Sequence, residues 1–148
     1  MLHRVHPAAG AVAMLLIVTF WLATFLSELF ASQTVVIAVK IAIPWGFLFL
    51  VPALATTGGS GIRLARSECL GLVGLKKRRI RLVAVNGLLV LIPAAIYLAD
   101  KAKTGEFDMA FYLVQILELV VGGVNLTLLG LNMRDGFRVG KGPGDRST

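Results

Sequence analysis

Charged residues are unevenly spaced along the chain, and the gaps between them define its elements. From Val5 to Ser27, 23 consecutive residues carry no formal charge. Further uncharged stretches run from Ile41 to Ile62, from Leu82 to Ala99 and from Leu119 to Met133. A helix rises about 1.5 Å per residue, so roughly 20 apolar residues cross a hydrocarbon layer about 30 Å thick. The pattern predicts an all-α integral membrane protein with four transmembrane helices in an antiparallel bundle, over residues 8–29, 34–57, 82–99 and 109–133. Pro7 suits a first helical turn, where its missing N–H would be unpaired anyway. The run Gly58-Gly59-Ser60-Gly61 reads as a helix terminator, followed by a basic loop over 62–81. Pro44, Pro52 and Pro93 fall inside helices and free the carbonyls of Lys40, Leu48 and Leu89. Asp108 is placed to cap the fourth helix. Residues 1–136 form one membrane domain in this reading, and 137–148, rich in glycine and polar residues, a flexible tail.

Composition agrees. Of 148 residues, 57% are hydrophobic, whereas soluble domains average about 45–50% apolar with glycine included. A soluble enzyme, a disordered tail and a disulfide scaffold are excluded, and the single cysteine, Cys69, has no partner within the chain. The first apolar run exceeds a signal-peptide core in length, so it is expected to be retained as a helix.

The net charge of +7 would suit nucleic acid in a soluble protein, but here it reads as topology. Twelve Lys and Arg fall near the N-terminus, between the second and third helices and after the fourth; only Lys101 and Lys103 fall in the opposite connections. Basic residues accumulate on the cytoplasmic side, so both termini and the central loop are expected there, with a bacterial inner membrane the setting. Lys76, Lys77, Arg78, Arg79 and Arg81 are suited to anionic lipid headgroups, at about 1 kcal/mol per basic residue. No nucleic-acid partner is expected.

Candidate chemistry lies at membrane depth, where a charge costs about 2.5–3.5 kcal/mol on insertion scales. Glu118 interrupts the fourth helix, on a stripe with Gln115, Gly122, Asn125, Leu129 and Asn132 at spacings of three and four. Such a stripe faces protein or water. Lys40 either snorkels to the headgroups or pairs with Glu118 or Glu28. Asn86, Val90, Pro93 and Tyr97 share a face of the third helix by the same spacing. His6 with Met133 is a candidate axial pair for haem b; the alternative is that His3 and His6 sit among headgroups at the helix start. No metal site is expected, nor a cofactor in the leading reading. No Ser–His–Asp set, HExxH or cysteine pair marks an enzyme. The leading expectation is a small non-catalytic accessory or assembly subunit, in contact with other membrane subunits or a second copy. The alternatives are a haem- or quinone-binding electron-transfer subunit and a proton- or ion-coupled transporter or channel acting as a dimer.

Overall fold

The computed structural model describes the backbone of residues 2–65 and 73–139 and the side chains of 5–60 and 78–135. Among these residues there is no strand. Helix α1 spans Leu2–Phe30, α2 Gln33–Ala65, α3 Val73–Asn86, α4 Ile92–Thr104 and α5 Met109–Val139. A π-helical turn, Gly87–Leu91, joins α3 to α4, so these three pieces make one span. Among the described residues, four stretches are long and apolar enough to cross a membrane: Val5–Phe30, Gln33–Ser60, Arg78–Thr104 and Met109–Asp135. Their outward side chains are large and apolar: Leu15, Trp45, Phe49 and Leu89 are 67–71% exposed. That is the inverse of a soluble surface, and lipid is the solvent it fits.

The helices run further than the sequence predicts. Helix α1 starts at Leu2, with Pro7 inside it rather than at its first turn. The glycine run does not terminate α2, which continues to Ala65. Glycine costs a helix about 1 kcal/mol against alanine, whereas an unpaired backbone group in hydrocarbon costs several. Side chains in this stretch turn back on the helix as well, Thr57 Oγ donating to the Ala53 carbonyl at 2.7 Å and Ser60 Oγ to that of Thr56 at 2.6 Å. The segment expected as a basic loop is helical over 62–65 and 73–81. Residues 137–139, expected as tail, continue α5; Cys69, residues 140–148 and the side chains of Lys76 and Lys77 lie outside the described residues.

Two short connections fix antiparallel neighbours. Ala31 and Ser32 join α1 to α2. Gly105–Asp108 joins α4 to α5, where Gly105 adopts φ +72°, a conformation glycine takes without strain. Glu106 N–H then reaches back to the Lys101 carbonyl at 3.0 Å, closing the helix end, and Asp108 Oδ1 accepts from Phe111 N–H at 2.8 Å to open the next. Above this connection Leu98, Ala102 and Phe111 form a closely packed core. The remaining contacts complete a ring: α1 packs on α2 and α5, α2 on α4, and the third span on α5.

Proline shapes the third span. Pro93 has no N–H to donate to the Leu89 carbonyl, and its ring would crowd that carbonyl in a regular helix. The preceding π turn widens the backbone, with Ile92 N–H bonding to the Gly87 carbonyl five residues back. The extra residue in that turn splits the face predicted for the third helix. Asn86 turns into the bundle, while Pro93 and Tyr97 are exposed.

Candidate functional site

The structure brings Lys40 to Glu118. Lys40 Nζ lies 2.9 Å from Glu118 Oε2, and the side chains are 1% and 12% exposed. Seven residues into α2, Lys40 sits about 10 Å from the helix start, and Glu118 about 13 Å into α5. At that depth an ion pair offsets much of the desolvation cost that either charge alone would carry. Glu28 on α1 lies within electrostatic reach of both, and its Oε1 is buried without a hydrogen-bond partner. One turn before Glu118, Gln115 is 4% exposed and neither of its amide atoms has a partner. Asn132 is unpartnered in the same way.

The other polar side chains tie helix to helix. Asn125, 2% exposed, accepts from Asn86 Nδ2 at 3.1 Å and donates to the Val83 carbonyl at 3.3 Å, joining α5 to α3. Trp21 Nε1 donates to the Leu119 carbonyl at 2.9 Å. Its indole rests over Gly122, where a Cβ would stand 2.9 Å from Trp21 Cδ1. Arg79 pairs with Asp135 at 2.8 Å, directing one member of the basic cluster to α5; Arg78 and Arg81 are exposed.

His6 Nδ1 lies 3.1 Å from the Thr57 carbonyl and 2.9 Å from Ser60 Oγ. Because the Ser60 hydroxyl donates to Thr56, the network assigns the proton to His6 Nδ1. His6 is therefore held by α2. Neither His6 nor Met133 lines the cavity described next.

Inside the ring lies a cavity of about 350 Å³. It forms where α2 packs against α4 and leans away from α3. Val51, Leu54 and Ala55 of α2 and Ala84, Gly87 and Leu88 of the third span are among the residues that line it. Val51 and Leu88 of its lining are 44% and 62% exposed, so the space is not sealed within the bundle. Its back wall carries Trp21, Thr24, Glu118, Gly122 and Asn125. Glu118 thus belongs both to the buried ion pair and to this wall. Comparison of the chain with protein-family models, curated proteins and solved structures finds no match.

The sequence reading named Glu118 and Asn125 but missed the cavity. The available signal was small residues, Ala55, Gly58, Ala84 and Gly87, which line it from α2 and from the third span.

Proposed function

We propose that this is a non-catalytic membrane protein that holds a lipophilic molecule between its second and third spans, as a small subunit beside a larger membrane assembly. The cavity carries this reading. Ligand pockets are concave, mostly apolar, and hold a few placed polar groups within about 300–1,000 Å³; this one has those features and admits its ligand from the bilayer. The buried ion pair serves it by fixing α2 to α5 at the back wall, leaving the opposite seam to part. The basic residues at the end of the bundle formed by α3 and the last turns of α5 support an orientation with that end in the cytoplasm, and a bacterial inner membrane is the setting proposed for it.

Trp21 supplies the test because it lines the cavity, whereas Trp45 is 69% exposed on the outside. In a Trp45→Phe protein reconstituted in bilayers, energy transfer from Trp21 to a pyrene-tailed alcohol should saturate near one probe per chain. Adding Ala84→Phe, which projects a ring into the space, should leave only the unsaturable background of probe dissolved in lipid. Identical curves for the two proteins would sink the reading.

A further inference from the structure

The polar groups of the cavity wall are not equally available to a ligand. Trp21 Nε1 is already donated to the Leu119 carbonyl, Asn125 Nδ2 to the Val83 carbonyl and the Thr57 hydroxyl to the Ala53 carbonyl. The Asn125 oxygen accepts from Asn86. Glu118 differs. Lys40 takes Oε2 only, which leaves Oε1 as a free acceptor on a residue of the wall. The matching cation is withdrawn: Lys40 is 1% exposed and does not line the cavity. An entering headgroup meets carboxylate without ammonium.

From this we infer that the cavity selects neutral lipophiles with a hydroxyl donor in the head, of the hydroquinone or long-chain alcohol class, and rejects anionic lipids. The inference rests on the proposed binding function and adds the chemistry of the head. A hydroxyl donating to Glu118 Oε1 forms a charge-assisted hydrogen bond, stronger in low dielectric than in water. A carboxylate or phosphate head would bring a second anion to the negative end of the Lys40–Glu118 pair with no proton to donate to it. An ether or ester head has no donor and leaves Oε1 unpaired.

Four competitors with the same dodecyl tail separate these cases in the Trp21 displacement assay: an alkyl hydroquinone, its dimethyl ether, the fatty alcohol and the fatty acid anion. The two hydroxyl heads should displace the pyrene probe at concentrations roughly tenfold or more below the ether, the worth of one hydrogen bond to a charged acceptor. The fatty acid anion should be weakest. Which hydroxyl head is tighter distinguishes a quinol from an aliphatic alcohol as the source. In a Lys40→Met/Glu118→Leu protein, which removes both charges together, hydroxyl and ether heads should compete equally. Equal displacement by all four in the unaltered protein, or best displacement by the anion, would overturn the inference while binding itself stands. Absence of displacement by any of them would instead count against the binding function.

Discussion

At the residue scale the Lys40–Glu118 pair governs the bundle interior, because each charge is tolerable there only through the other. Removing one partner of a buried ion pair costs about 3–5 kcal/mol, whereas replacing both by apolar groups is often neutral. Lys40→Met should therefore lower the unfolding temperature strongly, and Lys40→Met/Glu118→Leu should recover most of the loss. Thermal unfolding of the single and double variants in one detergent checks this, and a double variant as unstable as the single one would mean the pair is not coupled. Glu118 was legible in the sequence, since a carboxylate among uncharged neighbours is visible without coordinates. Its partner was not. Whether Lys40 snorkels or turns inward depends on the rotation of α2 relative to α5, and each helix's own periodicity is silent on rotation between helices. The unpartnered amides of Gln115 and Asn132 have the same origin, because a stripe at helical spacing shows which side faces inward but not what stands opposite.

At the scale of elements, the number and order of spans followed from charge spacing, while their ends and the break in the third did not. Propensity sets helix ends in water. In lipid the need to pair every backbone group overrides it, which carries α2 through Gly58, Gly59 and Gly61. The π turn escapes any search at 3.6 residues per turn, since it shifts that period midway, and the cavity escapes with it because it depends on α3 standing apart from α2. The α4–α5 connection is local and was easier to read. Lys101 Nζ sits 2.8 Å from Asp108 Oδ2 and 2.6 Å from Glu106 Oε2. The Lys101 ammonium, with the Phe111 N–H beside it, holds the Asp108 carboxyl below its usual range. A carboxyl whose pKa is lower folded than unfolded stabilises the fold above its unfolded value, about 4, and loses that contribution as pH falls through the folded value. Asp108→Asn keeps a capping oxygen for α5 but removes the charge. Its melting temperature should lie below that of the unaltered protein at neutral pH and converge on it in acid. A difference independent of pH would assign the effect to the cap rather than to the ion pair.

For the whole molecule, the proposed orientation in the bilayer rests on charge asymmetry, and the structure adds to the count. Lys101 is paired with Glu106 and Asp108, and Lys103 with Asp100 at 3.2 Å, so both basic residues of the α4–α5 end already face carboxylates. At the other end Arg78 and Arg81 are exposed, and Arg79 alone of these three is spent on Asp135. Anionic lipid attracts that end by about 1 kcal/mol per basic residue near the surface, and acidic residues do little to reverse such a bias. The α1–α2 and α4–α5 connections should therefore face away from the cytoplasm. Native Cys69 falls in the sequence between α2 and α3, which makes it a reporter for one side. Thr104→Cys on a Cys69→Ser background, at an exposed position closing α4, reports the other. A membrane-impermeant maleimide should label the Thr104→Cys protein in intact cells and the unaltered protein only after the cytoplasmic face is opened. The reverse pattern would invert the molecule, turning the end that holds the Lys40–Glu118 pair toward the cytoplasm and leaving the basic cluster without the anionic lipid its charge is suited to.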